Sequence, residues 1–186
     1  MATQHDLVLG QLRELVEKNR GVYPVTDPFP YTELDRLACS AGLLPAEATP
    51  ILSELLEMTG KYDDAVDHRG RNAYDGADLR RDALVVRALR RCPPSAEVVP
   101  TIAAMLEGST QDRYYAEPGG SPDADKYDRD SSVEAAQDHL AHQCALLLES
   151  LPLDAAAKAA LDGARKHRSD EVRTAAAAAL VRGRPR

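Results

Sequence analysis

Two histidines one helical turn apart, His139 and His142, come closest in type and spacing to a metal site. In a helix they would lie near the carboxylates of Glu134 and Asp138, and imidazole and carboxylate groups are common zinc ligands. Such a site still needs a ligand from another element. The candidates for it are Cys144, His167 and the acids of the neighbouring loop. The simpler interpretation, which we adopt, is two surface residues of an amphipathic helix, with no metal and no cofactor.

The acids between Asp123 and Glu134 have part of the spacing of a calcium-binding loop. Asp123, Asp125 and Glu134 occupy its first, third and twelfth positions. Asp128, however, stands where the sharp turn of such a loop needs glycine, and Tyr127 replaces an oxygen ligand. We therefore expect a solvated acidic loop here.

Catalytic motifs are absent from the sequence. It contains no phosphate-binding loop, dinucleotide fingerprint, nucleophile elbow or His-Glu-x-x-His pattern. The carboxylates of Asp63 and Asp64 are adjacent in an irregular stretch, where nothing would desolvate one of them for acid-base catalysis. We expect a protein that is not an enzyme.

The tyrosines are concentrated in two irregular stretches, residues 61–76 and 109–130, which contain five of the seven. Tyrosine interleaved with Asp, Arg and Gly is typical of adaptable protein-contact surfaces. The alternative is that each ring packs its own loop onto the helices. The residues predicted to bind a partner are Tyr62, Tyr74, Tyr114, Tyr115, Tyr127, Asp123, Asp125 and Asp128.

Apolar residues at helical spacing predict the elements that position these stretches. The predicted helices span about residues 3–19, 32–42, 45–60, 78–91, 95–108, 132–151, 154–166 and 170–182, and the third of them starts at either Leu44-Pro45 or Thr49-Pro50. Three prolines predict an extended connector over residues 21–31. Ser95, Asp154 and Ser169 are the predicted N-caps of the helices that follow them.

The charge balance argues against a nucleic-acid ligand. The 186-residue chain has 23 Lys and Arg against 30 acids, a formal charge of −7, so polyphosphates should on average be repelled. Only the end of the chain, residues 158–186, is locally basic, and there the cations are expected to solvate an alanine-rich helix.

Cysteine usage and hydropathy suggest a compartment. Cys39, Cys92 and Cys144 are widely spaced and form no Cys-x-x-Cys pair, which suits a reducing environment. No apolar run is long enough to cross a membrane, and His5 and Asp6 stand where a secretory signal would be basic or apolar. We expect a soluble cytoplasmic protein.

The last predicted helix has the pattern of a stacked helical repeat. Asp170-Glu171-Val172-Arg173 is followed by Thr174, five alanines and Leu180, so that Val172, Ala176 and Leu180 form a buried stripe. Two earlier hairpins resemble each other as well: residues 83–89 before the cap Ser95, and residues 145–151 before the cap Asp154.

On these motifs, residues 77–186 resemble the HEAT-repeat family, whose first helix carries an Asp-x-Val-Arg start followed by small residues and a leucine. The resemblance implies an all-α fold, a short right-handed solenoid of HEAT-like helix pairs, here with two irregular loop insertions. It also implies that the protein acts as a binding scaffold.

Residues 32–76 resemble a winged helix-turn-helix in the spacing of Leu37, Gly42, Leu52, Leu55 and Gly60, with residues 67–74 as the wing. The recognition helix of that motif, residues 45–58, would contain three glutamates and no Lys or Arg, whereas groove reading needs cations and donors. Only Arg69 and Arg71, in the wing, remain to contact the phosphate backbone of DNA.

We therefore expect residues 1–60 to form a helical segment packed on repeats that span residues 61–186, with insertions at 61–76 and 109–130. The predicted function is non-catalytic binding of another protein through those insertions and an adjoining helical face. A basic partner fits the acidic charge, as for an inhibitor or immunity protein of a toxin that degrades nucleic acid. The alternative is a nucleic-acid-associated regulator that uses Arg69 and Arg71.

Overall fold

The computed structural model describes residues 4–19, 34–36, 43–60, 76–110 and 131–183, and the regular structure in these ranges is entirely helical. The α-helices are α1 (Gln4–Asn19), α2 (Ala48–Gly60), α3 (Gly76–Leu89), α4 (Val99–Thr110), α5 (Ser131–Leu148), α6 (Ala155–Ala164) and α7 (Asp170–Arg182). Residues 34–36 are also helical, and a 3-10 turn, Ala96–Val98, leads into α4. The all-α prediction is therefore confirmed for these ranges, while the predicted connector at residues 21–31 lies outside them.

Two of the three predicted N-caps make a side-chain bond. Asp154 Oδ1 accepts the Ala157 N–H at 2.7 Å at the start of α6. Ser95 Oγ accepts the Glu97 N–H at 3.3 Å at the 3-10 turn. Ser169 occupies the N-cap position of α7, but its side chain makes no cap bond. The predicted cap position is therefore confirmed, without a bond from the Ser169 hydroxyl, and the Ser169 backbone N–H donates to Nδ1 of His167 at 3.1 Å.

The helices from α3 onward pack in two rows. In the first row, α5 packs between α3 and α7. In the second row, α4 packs on α6. The two rows meet where α4 contacts α5 and where α6 contacts α7. Side chains that are at most 2% exposed fill the space between the rows. They include Leu79, Leu106, Leu140, Leu148 and Leu161. At the other side, α2 packs on both α1 and α3, and the Leu44 N–H donates to the Arg91 carbonyl at 2.8 Å.

Small side chains bring α7 close to its neighbours. Val172 and Ala176 are fully buried, as predicted, and Ala179 is buried with them. Leu180, expected in the same stripe, is only partly buried at the edge of the core. Alanines at the contact allow the helix axes to approach closely, which explains why this helix carries so few large residues.

Arg173, in the Asp-x-Val-Arg start of α7, stabilises the turn before that helix. Its Nη1 donates to the carbonyls of His167 and Arg168, at 2.6 and 2.7 Å. These carbonyls follow the end of α6, where backbone acceptors lack helical partners. The arginine of the repeat-like start therefore ties α7 to the turn that connects it with α6.

Within the described ranges, no helix combines the length and the apolar character that a membrane span requires.

Candidate functional site

The predicted partner-binding residues all lie outside the described part of the chain. They are Tyr62, Tyr74, Tyr114, Tyr115, Tyr127, Asp123, Asp125 and Asp128. The structure does place the residues to which their segments are joined: Gly76 at the start of α3, Thr110 at the end of α4, and Ser131 at the start of α5.

The directions of α3 and α5 decide where these junctions lie. The end of α3 meets the end of α5 around a small cleft lined by Leu89, Cys92, Leu147 and Leu151. Just beyond the end of α3, Arg90 Nη1 donates to Gln143 Oε1 at 2.9 Å. Since α3 and α5 pack along each other, they run parallel, and Gly76 and Ser131 lie at the same end.

Helix α4 runs the opposite way. Val98, immediately before it, lines the same small cleft, and α4 packs back along α5. Its last residue, Thr110, is therefore near the starts of α3 and α5. All three junctions lie at one end of the helix rows, which we name the junction end, defined by Gly76, Thr110 and Ser131.

A polar network centred on Arg168 lies at the junction end. Arg168 Nε donates to Asp138 Oδ1 at 2.8 Å, and Nη2 of the same guanidinium is 2.8 Å from that oxygen. Nη2 also donates to the Glu134 carbonyl at 3.2 Å and to Gln137 Oε1 at 3.3 Å. The Glu134 carboxylate is 3.7 Å from Nη1. The arginine therefore binds the first turns of α5 from the turn between α6 and α7.

His167 completes this network from the same turn. Its Nδ1 accepts the Ser169 N–H at 3.1 Å, so in the neutral imidazole the proton is on Nε2. Nε2 faces Asp138 Oδ1 at 3.8 Å. The ring is 9% exposed, and its neighbour in the network, Gln137, is fully buried. The two carboxylates thus share the Arg168 guanidinium, and Asp138 also faces the His167 ring, an arrangement that positions helices.

His139 and His142 occupy the outer side of α5 without converging on a common centre. His142 Nδ1 is 3.6 Å from Glu171 Oε2 on α7. Burial lowers the pKa of His139, as do the neighbouring His142 and Arg87, while Glu171 acts in the opposite direction. A lowered pKa keeps this imidazole neutral near neutral pH.

The further ligands considered for a metal are engaged elsewhere. Cys144 is fully buried, and His167 faces Asp138. In the ranges that the structure covers, no group of three or more His, Cys, Asp or Glu side chains is placed to hold a metal ion. Glu134, the twelfth position of the calcium-like pattern, lies in the first turn of α5 and faces Arg168. Residues 123–130 of that pattern lie outside the described ranges.

The two described cysteines have protonated thiols. Burial raises the pKa of Cys92, with a hydrogen bond from Thr49 acting against it. Burial also raises the pKa of Cys144, to which the charge of Asp82 contributes. Because the thiolate is the nucleophilic form, neither side chain is activated for covalent catalysis.

The helix that would read DNA in a winged helix-turn-helix is α2. It contains Glu54 and Glu57 and no Lys or Arg, and it buries Leu52 and Leu55. Arg69 and Arg71 of the predicted wing lie outside the described residues.

Sequence reasoning missed the polar residues inside the helix rows. Arg81 and Asp82 are 2% and 1% exposed, with Arg81 Nε 3.6 Å from Asp82 Oδ1, although adjacent charges in a helix normally indicate a solvated face. The role of Arg168 was missed for a similar reason, because its partners on α5 are some thirty residues away. The local signal was that Asp82, together with Arg87, interrupts the apolar stripe of α3.

Together these features define a helical protein whose described helices from α3 onward form two packed rows, with a polar network and the junctions to residues 61–75 and 111–130 at one end. Comparison with models of protein families, with curated proteins and with solved structures finds no match to this chain.

Proposed function

We infer that this chain is a non-catalytic module that binds another protein at the junction end. The observation that supports it best is that Gly76, Thr110 and Ser131 lie at the same end, because α3 and α5 run parallel and α4, in the second row, runs back along α5. Two Tyr- and Asp-rich segments thus join the helices at one place. A surface assembled from both segments would present several aromatic anchors to one partner.

The helical rows would serve as the rigid support for that surface. Arg168 and His167 hold the turn between α6 and α7 against α5 at the same end. Rigid support lowers the entropic cost of binding, because only the contacting side chains become ordered. We infer that the rows are a HEAT-like right-handed solenoid, on the basis of the stacked α3, α5 and α7 and of the Asp-x-Val-Arg start of α7.

A basic partner fits the charge of the chain. With a formal net charge of −7, the protein would attract a cationic partner surface at long range, which would speed the association of the two proteins. Asp123, Asp125 and Asp128 would supply the local charge at the contact. An inhibitor or immunity protein that masks a basic toxin has this chemistry, and the buried, unpaired Cys92 and Cys144 suit a reducing cytoplasm.

The test is co-purification of a partner from the native cell with a tagged full-length chain. Replacing Tyr114 and Tyr115 together by Ala should remove the partner, while the far-ultraviolet circular dichroism stays that of the wild type. The matched control replaces Tyr23 and Tyr31, the two tyrosines outside the segments, and should retain it. A partner that persists with the first variant would overturn the proposal.

A second measurement addresses the charge. Binding of the identified partner should weaken with added salt, because screening reduces attraction between exposed charges. Replacing Asp123, Asp125 and Asp128 by Asn should reduce that salt dependence. If instead the chain binds duplex DNA, and the double variant Arg69→Ala, Arg71→Ala no longer binds it, the nucleic-acid alternative is correct.

A further inference from the structure

The exposed side of the first row carries a concentration of positive charge, although the formal charge of the whole chain is −7. Residues 83–95, which include the second half of α3 and the turn after it, contain three arginines and no acid. Residues 139–148 of α5 contain two histidines and no acid. Because α3 and α5 pack along each other in parallel, these two acid-free stretches lie side by side.

The cations of α3 and the histidines of α5 form one surface, which we name the basic face. Its members are all exposed or partly exposed: Arg80, Arg87, Arg90, His139 and His142. Arg80 and Arg87 are seven residues apart, so they lie on the same side of α3. Arg90, just after α3, connects the two helices, because its Nη1 donates to Gln143 Oε1 at 2.9 Å.

The guanidinium groups of the basic face are close enough to disfavour one another's charge. Burial lowers the pKa of Arg90, and the charges of Arg91 and Arg87 lower it further, while Glu149 acts in the opposite direction. The Glu149 carboxylate is itself 2.9 Å from Nη1 of Arg182 on α7. A second carboxylate near Arg90 would therefore favour its charged form.

His139 is subject to the same repulsion. The charged groups that face it are His142 on its own helix, Arg87 on α3 and Glu171 on α7. The first two lower its pKa together with burial, and Glu171 acts against them. Because an added carboxylate would offset the repulsion, the basic face gains from binding an anionic ligand.

The acids of the protein approach the basic face from its two edges. Asp35 Oδ1 is 3.4 Å from Arg87 Nη1 at one edge, and Glu171 Oε2 is 3.6 Å from His142 Nδ1 at the other. The carboxylates are 52% and 78% exposed, and ion pairs at such exposed sites are weak. A ligand can therefore add its own carboxylates to the same cations.

We propose that the basic face binds an acidic segment of a partner protein, which lies along α3 and α5 with its carboxylates beside Arg87, Arg90 and His139. Guanidinium groups suit such a ligand, because their N–H groups match the two oxygens of a carboxylate. This surface and its ligand go beyond the proposed function, which concerns a basic partner at the junction end, and they are independent of it.

A protein segment fits the basic face better than a nucleic acid does. The face is two helices wide, with roughly 10 Å between helix axes, and Asp35 and Glu171 lie at its edges. The phosphates of a nucleic acid that extended past these edges would meet carboxylates. Leu146, one turn beyond His142 on the same side of α5 and only partly buried, offers an apolar contact that a side chain of a peptide can use.

Fluorescence anisotropy of a labelled acidic peptide tests the proposal. The probe is a fluorescein-labelled peptide of about ten glutamates, which is long enough to follow α3 from end to end. The full-length chain should bind it at low salt. Replacing Arg87 and Arg90 together by Glu should weaken binding roughly tenfold, because two exposed contacts are reversed.

The matched control replaces Lys158 and Arg165 together by Glu, which changes the net charge of the chain by the same amount. Both residues are exposed on α6, in the second row. Because screening limits the reach of exposed charges, the affinity of this variant should stay within about twofold of the wild type. An equal loss in the two variants would mean that only the net charge matters and would overturn the proposal.

The pKa of His139, measured by NMR in the wild type with and without the peptide, is a readout that does not depend on a variant. It should rise in the complex, because a nearby carboxylate favours the imidazolium. A rise of about half a unit corresponds to roughly threefold tighter binding at low pH. The proposal is overturned if the peptide does not bind, if the pKa of His139 stays unchanged, or if an oligothymidylate of equal charge binds more tightly through Arg87 and Arg90.

Discussion

Arg168 donates from Nε to Oδ1 of Asp138 over 2.8 Å, and the two residues are separated by 30 positions in the chain. The same guanidinium reaches the Glu134 carbonyl and the Gln137 amide oxygen. One side chain therefore connects the turn between α6 and α7 with the first turns of α5.

Arg168→Ala should lower the free energy of unfolding by about 1–2 kcal/mol, because several charge-assisted hydrogen bonds at a half-exposed site are lost together. The matched control is Arg165→Ala, whose partner Asp162 is largely exposed and whose loss should cost at most about 0.5 kcal/mol. Urea denaturation measures both. Equal losses would mean that the network stabilises no more than a surface ion pair.

Asp154→Ala should cost about 1 kcal/mol of stability, because it removes the 2.7 Å bond to the Ala157 N–H. Ser169→Ala occupies the same position of α7 but removes no cap bond, so its cost should be only about a few tenths of a kcal/mol. Thermal denaturation of the two variants side by side distinguishes them. A larger effect at Ser169 would contradict the cap assignment.

Ala176→Leu should destabilise the fold by about 1–3 kcal/mol, because the site is fully buried and a larger side chain forces the helices apart. The same replacement at Ala159, which is exposed on α6, should change stability by no more than about 0.5 kcal/mol. Denaturant midpoints at low protein concentration provide the comparison. Tolerance of leucine at Ala176 would argue against close packing of α7.

Stability should fall as the pH drops below about 6.5, the usual pKa of histidine. Burial, His142 and Arg87 lower the pKa of folded His139, so the unfolded chain binds the proton more readily in this range. The loss should level off once the pH is below the folded pKa. His139→Gln should flatten this dependence. Unfolding free energies across the pH range measure the slope, and an unchanged slope in His139→Gln would contradict the assignment.

The candidate site divides between what local patterns could indicate and what they could not. The tyrosine-rich stretches were recognisable from composition, and the role of their residues in binding a partner remains a prediction. Their attachment at a single end was not predictable, because it depends on α3 and α5 being parallel, a property of packing between distant helices. The metal considered at His139 and His142 illustrates the converse: the spacing suggested ligands, but among the described residues no third ligand side chain joins them.

The sequence by itself determined the helices and much of their burial. Apolar residues at helical spacing place Leu79, Ala83 and Val172 in the core, and Asp154 starts α6, because these effects act within a few residues of one another. Only the tertiary structure decided that Arg81 and Asp82 are buried and that the polar side of α5 binds Arg168. A polar side chain has no intrinsic preference for one distant partner; the packing of the helices brings that partner within hydrogen-bonding distance.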